Sequence, residues 1–315
     1  MKLWYDIVVE AKKTLSQRRE NSKERADREL VKYLGLYPNL KELYQERKSM
    51  VVKIAKAEVQ QKSTEELKKE YKKLGVKLKE NIIVLNIPKE KILPQYVCSK
   101  CKDLGTTHGK NCDCLNEEIY RIQLENNGLQ DVLLPSFEKL SLDIIEDKKV
   151  REEQRATYDI LQKLVDNPKS KYKLVSIFGG VGVGKTNMLQ CAFDRAIKNN
   201  LYGIYKTAFD LNSEMLRYHV AKMDQKAQIL KPYLECDVLC IDDMGTENHI
   251  NNVTTEYYYL ILNERITKGK LTIITTNLNL EQIRDVYDDR IFSRMCSNLN
   301  AIKFNVRGED LRIKK

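Results

Sequence analysis

The sequence predicts an α/β domain on a parallel sheet, preceded by an α-helical N-terminal region and a small cysteine-bearing module. Three observations carry this. From residue 135 to 315, strand-like apolar runs alternate with helix-like runs, and Leu174–Phe178, Tyr202–Lys206, Val238–Ile241 and Thr272–Thr275 are the strands. Such alternation belongs to parallel sheets covered by helices. One of these strands runs into Gly179-Gly-Val-Gly-Val-Gly-Lys185-Thr186, which fits GxxxxGK[ST] at every fixed position. Upstream, residues 1–80 carry helical spacing with little punctuation, and residues 81–134 hold four of the eight cysteines.

The helical region divides in three. Trp4, Ile7, Val8, Ala11 and Leu15 form one apolar stripe. Tyr37-Pro38-Asn39 breaks the pattern, and Asn39 with Glu42 reads as a capping box opening a helix through Leu40, Leu43, Tyr44, Arg47, Val51 and Ile54. Ser63 with Glu66 repeats the signature before Leu67, Tyr71, Leu74 and Leu78. The opposite faces are charged, as in an antiparallel hairpin. Such a hairpin either packs only on itself or docks another protein, and its small size favours docking.

Residues 81–134 are read as a zinc-binding module and linker. Cys98-x-x-Cys101 and Cys112-x-Cys114 are separated by ten residues rich in turn formers. Two close pairs supply the four thiolates that tetrahedral zinc takes, and a closed set suits a structural role. His108 lies between the pairs and can replace one thiolate. A redox dithiol would need a thioredoxin-like βαβ context, which is missing here, and the segment is too polar to bury four ordinary thiols. Cys191, Cys236, Cys240 and Cys296 sit in apolar runs and read as core residues. His219 and His249 have no partner pattern and read as surface or packing residues.

Composition bounds the partners. Charged residues make up 32% and the net charge is +10, which favours a polyanion, nucleic acid before membrane, although a lysine-rich solvated surface gives the same total. No apolar run approaches the roughly 20 residues of a bilayer span, and Met-Lys-Leu-Trp-Tyr-Asp lacks a signal-peptide core. The expected location is the cytoplasm, with thiols reduced and no membrane partner.

The glycine loop, between a strand and the helical run that begins Asn187-Met-Leu-Gln, sets backbone N–H groups and a helix N-terminus against phosphates. Gly179, Gly180, Val181, Gly182, Val183, Gly184, Lys185, Thr186 and Asn187 form the nucleotide contact set, Lys185 reaching the β- and γ-phosphates and Thr186 the Mg²⁺. About 55 residues further, Val238-Leu-Cys-Ile-Asp242-Asp243 is a buried strand ending in two acids. Asp242 would hold Mg²⁺ through water and Asp243 orient or deprotonate the attacking water. Leu271-Thr-Ile-Ile-Thr-Thr-Asn277 ends in an amide that would lie beside Asp242, and Asp289-Arg290-Ile-Phe-Ser-Arg294 carries two guanidinium groups suited to developing phosphoryl charge, or to ordinary salt bridges.

Taken together, the glycine loop, Ile-Asp-Asp-Met-Gly-Thr-Glu247, Thr-Thr-Asn277 and Arg-Ile-Phe-Ser-Arg294 resemble the AAA+ ATPases of the DnaC/DnaI type, the bacterial and phage replicative helicase loaders. Tyr96-Val-Cys-Ser-Lys-Cys-Lys-Asp-Leu-Gly105 with Cys-Asp-Cys-Leu115 is similar to the zinc-binding stretch of the DnaI-like branch, and Tyr37-Pro38-Asn39-Leu40 with the long helices to its helicase-binding domain. The resemblance implies ATP or ADP at Gly179–Thr186, metal at Thr186 and Asp242, sensor 1 at Asn277, and an arginine finger at Arg294 with Arg290 competing. Arg312 lies where a sensor 2 arginine is sought, in an end too short for a full helical lid. It further implies a DnaB-type hexameric helicase as partner, single-stranded DNA, and self-association through AAA+ interfaces. Thr207–Glu235, with Arg217, Lys222, Lys226, Lys231, Tyr218 and Tyr233, is either the DNA-contact zone or a solvated helix pair. The alternative is a transposition regulator of the IstB type, in which no zinc segment is expected; a nucleotide-locked adaptor without turnover is a third class. The expected domains are 1–80 (helicase-binding helices), 81–134 (zinc module and linker) and 135–315 (ATPase).

Overall fold

The computed structural model describes residues 1–250 and 253–313. Its contacts divide the chain into two compact units, Met1–Ala11 with Asn116–Lys315, and Lys12–Leu115.

The helix α1 (Trp4–Leu36) is followed by α2 (Pro38–Val59) and α3 (Glu65–Val84), and the short α4 (Lys89–Ile92) comes next. In the Lys12–Leu115 unit, α2 and α3 pack antiparallel, because Leu40 at the start of α2 meets Leu78 and Ile82 near the end of α3 in one buried cluster. Ile87 and Ile92 complete that cluster, and Tyr33, Leu34 and Tyr44 pack against it. The Arg47 guanidinium lies 4.4 Å from the centre of the Tyr71 ring, so the hairpin seam combines apolar and cation–π contact. Val51, expected on the apolar face, is half exposed.

Neither expected helix cap holds. The N-cap of α2 is Tyr37, with Pro38 in the first helical position, and that of α3 is Thr64; neither makes a side-chain capping bond. Proline at N1 has its φ pre-set and lacks the N–H that a cap would satisfy, so it starts α2 two residues before the start to which the Asn39–Glu42 spacing pointed. Ser63 lies one residue outside its helix, and Glu65 and Glu66 supply negative charge in the first turn instead.

After α4 in the chain, β1 (Thr106–Thr107) and β2 (Lys110–Asn111) form a two-stranded antiparallel ribbon, followed by α5 (Asp113–Asn126). In the unit formed by Met1–Ala11 and Asn116–Lys315, the elements are a 3₁₀ turn (Phe137–Lys139), α6 (Lys148–Asp166), β3 (Leu174–Gly179), α7 (Lys185–Lys198), β4 (Gly203–Thr207), α8 (Ala208–Val220), α9 (Met223–Glu235) and β5 (Val238–Met244). They continue with α10 (Thr254–Thr267), β6 (Leu271–Thr276), α11 (Leu280–Tyr287), α12 (Asp289–Met295) and β7 (Ala301–Val306). The sheet order is β4-β5-β6-β3-β7, with every pairing parallel.

Helices cover the inner strands on both faces, so β3, β5 and β6 are buried almost throughout, including polar members such as Ser176, Asp242 and Thr275. The edge strand β7 alternates instead and was not among the expected strands. Beneath the sheet, Leu161 of α6, Met188 and Phe193 of α7, and Val175 and Ile177 of β3 share one core. The chain start belongs to this unit: Ile7 and Ala11 are fully buried, Trp4 stacks on Tyr202 at 6.3 Å, and the Tyr202 hydroxyl donates to the Lys2 carbonyl at 2.9 Å. One arginine is fully enclosed. Arg265 of α10 donates to the Tyr233 and Cys236 carbonyls, to Leu271 O and to Thr272 Oγ1, fastening the end of α9 to β6.

No helix among the described residues is long and apolar enough to cross a membrane.

Candidate nucleotide site and cysteine cluster

The glycine loop spans the turn from β3 to α7, at the carboxyl end of the sheet. Gly182 has φ of +75°, and a Cβ there would stand 1.8 Å from Asp310 Oδ1; Leu311 N also donates to Gly182 O at 3.1 Å. The segment after β7 therefore closes against the loop, and only a residue without a side chain fits beneath it. Gln154 of α6, buried, donates from Nε2 to both Val183 O (3.3 Å) and Arg307 O (3.0 Å), joining the loop to the chain that follows β7.

Lys185 is buried at the first position of α7. Its Nζ donates to Gly179 O at 2.9 Å, Gly180 O at 2.7 Å and Asn277 Oδ1 at 2.6 Å. Burial lowers its pKa, with Asp243 and Asp242 opposing. Asn277, one residue beyond β6, thus reaches the lysine. One helical residue on, the Thr186 hydroxyl donates to Asp242 Oδ1 at 3.1 Å.

Asp242 is buried and held by hydroxyls. Thr275 of β6 donates to Oδ1 at 2.5 Å and Tyr205 of β4 donates to Oδ2 at 2.6 Å. Its neighbour stands on a break in the ladder. The β5–β6 register shifts between Ile241 and Met244, Asp243 takes φ of +56°, and its N–H donates to Thr275 Oγ1 at 2.8 Å. A bulge at this point turns Asp243 away from the alternation that places Asp242, so consecutive acids serve one site from different directions. Burial, then the Asp242 charge, raises the Asp243 pKa. Thr275 and Tyr205 were not anticipated. Both sit inside apolar strand runs, where a hydroxyl carries no motif.

The cleft containing Gly182, Lys185, Thr186, Asp243, Asn277 and Arg312 has a volume of about 1140 Å³. Its other wall is apolar, formed by Leu133, Leu134, Leu140 and Leu142 ahead of α6, a segment that no sequence signal marked. Arg312 pairs with Asp310 through Nε at 3.1 Å. Arg290 and Arg294 do not line the cleft. Both lie over the Tyr259 ring, at 4.7 and 4.1 Å. Arg290 is paired with Glu256 and Asp288, whereas Arg294 donates to Tyr259 Oη and Asn263 Oδ1 and has no carboxylate among those bonds.

A glycine loop after a central strand, an acid-tipped strand separated from it by one strand, and the order β4-β5-β6-β3-β7 decide the fold. It is that of an AAA+ P-loop ATPase. The profile of the bacterial DnaA ATPase domain matches residues 149–301, and the chain is an ATPase. The chromosomal replication initiator protein DnaA of Nautilia profundicola is 26% identical over 225 residues, covering 70% of this chain and 48% of that protein. The chain thus spans about half the length of the curated relatives it matches. Among solved structures, AMPPCP-bound DnaA from Aquifex aeolicus is similar at 26% identity and a TM-score of 0.43, covering 50% of this chain and 47% of that one. A crystal structure of DnaI is similar at 21% identity and a TM-score of 0.45, covering 58% and 93%.

The second cluster lies in the other unit. The sulfurs of Cys98, Cys101, Cys112 and Cys114 all fall within 4.8 Å of one another. The geometry is built locally: Asp103, buried, accepts from Val97 N and Cys98 N at 3.0 and 2.9 Å, and Gly105 N donates to Cys101 Sγ at 3.3 Å. His108 is not part of this group. It occupies, with Gly109, the two-residue turn between β1 and β2, both at positive φ as a tight hairpin turn requires. Four thiol donors converging without a carboxylate or open position suit tetrahedral zinc. Cys191, Cys236 and Cys240 are fully buried and Cys296 is intermediate. His219 Nδ1 pairs with Tyr257 Oη at 2.8 Å and His249 Nε2 with Thr255 Oγ1 at 3.0 Å.

Proposed function

We propose that this chain is an ATP-dependent loader of the replicative hexameric helicase, placing it on single-stranded DNA. The observation that carries the reading is the covalent joining of a DnaA-type ATPase domain to a unit holding a helical hairpin and four converging cysteines. In this reading the hairpin docks a DnaB-type helicase, the cysteines hold a structural zinc, and the ATPase domain acts as a timer.

At the nucleotide site, the loop N–H groups and Lys185 bind the phosphates, and the apolar wall before α6 receives the base. Thr186 and Asp242 would hold Mg²⁺, which would supply positive charge against the charge that develops on the phosphates. Asp243, its pKa raised, takes the proton of the attacking water. Asn277 orients Lys185. Arg294 (with Arg290 as its rival), outside its own cleft and free of a carboxylate, serves the site of an adjacent protomer, so turnover follows self-association. Arg312 contacts the phosphates from the segment after β7.

Single-stranded DNA is assigned to the α8–α9 pair. Tyr218 stacks edge-on with Tyr257 at 5.3 Å, Lys226 lies over Tyr218, and Phe209, Val220 and Met223 are exposed. Base stacking uses such surfaces. Arg217 and Lys231 pair with Glu214 and Glu235 and contribute less free charge.

The match to the DnaA ATPase domain favours a second reading, an initiator that acts on duplex DNA. Co-purification with the cognate replicative helicase, with and without ATP, tests the first. A complex in either state supports the loader; its absence in both, together with tight binding to duplex origin DNA, favours the initiator.

A further inference from the structure

Among the groups around the acid-tipped strand, one hydroxyl belongs to neither the glycine loop nor β6. Tyr205 sits in β4, is buried, and stacks edge-on against Phe193 of α7 at 5.6 Å. Its hydroxyl donates to Asp242 Oδ2 at 2.6 Å and also hydrogen-bonds Gln190, one turn beyond Thr186 on α7. The other carboxylate oxygen is held by Thr186 and Thr275. Asp242 is thus fixed from three elements, and among the described residues Tyr205 is the one that bonds Oδ2.

Two residues on, Thr207 ends β4 in register with Asp242 and caps α8, accepting from Asp210 N at 3.0 Å. A few ångströms of β4 therefore both orient the acid and begin the α8–α9 pair. We propose that Tyr205 is a positioning residue for Asp242, setting the carboxylate that holds magnesium and tying it to the strand that launches α8. A carboxylate acting on a metal through water depends on the direction of its lone pairs, and removing an outer hydrogen-bond partner costs metal affinity without touching the ligand itself. The inference rests on the reading of Asp242 as the magnesium-side acid.

The test compares the full-length protein with Tyr205→Phe and Asp242→Asn, titrating a fluorescent ATP analogue in the presence and absence of Mg²⁺. Phenylalanine keeps the ring against Phe193, and both affinities are read on one sample, so a reduced folded fraction cancels in their ratio. For Tyr205→Phe, the Mg²⁺-dependent gain in affinity falls about tenfold, while the affinity without Mg²⁺ is unchanged. An unchanged gain in Tyr205→Phe, beside a lost gain in Asp242→Asn, overturns the positioning role alone. An equal loss with and without Mg²⁺ also overturns it, because that is what a packing role gives. If Asp242→Asn itself keeps the full gain, the underlying reading of the acid fails.

Discussion

Lys185 Nζ donates to Asn277 Oδ1 at 2.6 Å, a bond between residues 92 positions apart that links the glycine loop to the end of β6. The amide aims the lysine, so its loss acts on the reaction more than on binding. Asn277→Ala is expected to lower ATP turnover about tenfold with nucleotide affinity within about twofold, as for interactions strengthened in the transition state. Steady-state turnover beside equilibrium binding checks this; a matched fall in both would assign Asn277 to ground-state binding.

Lys185→Ala removes the phosphate charge itself. ATP binding is expected to fall by about a hundredfold or more, with zinc content unchanged. Equilibrium binding and metal analysis on the same preparation decide it, and zinc lost along with binding would mean that the two units do not fold independently.

The cysteine cluster is expected to hold about one equivalent of zinc per chain. Replacing Cys101, the more buried member of the first pair, by serine should leave little metal and lower the thermal stability. Metal analysis of the purified protein is the check. Less than about half an equivalent in well-folded wild-type protein would sink the assignment.

Arg294→Ala should reduce turnover at least about tenfold while leaving nucleotide affinity intact. Mixed with Lys185→Ala, it should recover part of that activity, since each variant supplies what the other lacks. Failure of the mixture to recover would place the arginine's role within its own protomer, at the Tyr259 and Asn263 contacts.

Arg265 tests stability rather than chemistry. Methionine fills much of its volume but leaves the Tyr233, Cys236 and Leu271 carbonyls and the Thr272 hydroxyl without their donor. The expected cost is on the order of 3 kcal/mol, a fall of about 6–12 °C in Tm for a domain of this size. A thermal melt shifted by less than about 2 °C would show that the pocket repacks.

The sequence reveals those parts of the site where chemistry dictates residue type at fixed spacing. The glycine loop, the acids of β5 and the paired cysteines are of this kind, and in the fold Asp242 meets Thr186 while four sulfurs converge. Tyr205 and Thr275 were hidden because a hydroxyl in an apolar run gains meaning only once its partner, 32 to 37 residues away, is beside it, and Gln154 because its partners Val183 and Arg307 lie 29 and 153 residues away. The cap assignments at Asn39 and Ser63 failed for a local reason: capping residues are also turn residues, and Pro38 and the Glu65–Glu66 pair did the same work nearby. β7 escaped because Lys303 and Asn305 interrupt its apolar residues on the exposed face.

The strand that carries the phosphate loop lies between β6 and β7, whose residues come roughly 100 and 130 positions later. Gly179, its last residue, runs so close to β7 that a Cβ would stand 2.5 Å from the Val306 carbonyl. During synthesis the loop therefore emerges long before either of its flanking strands. Contacts of such long sequence separation form late, so a nascent chain that ends before Val306 would not yet have a complete cradle for ATP. Nucleotide capture then reports that the whole sheet has closed.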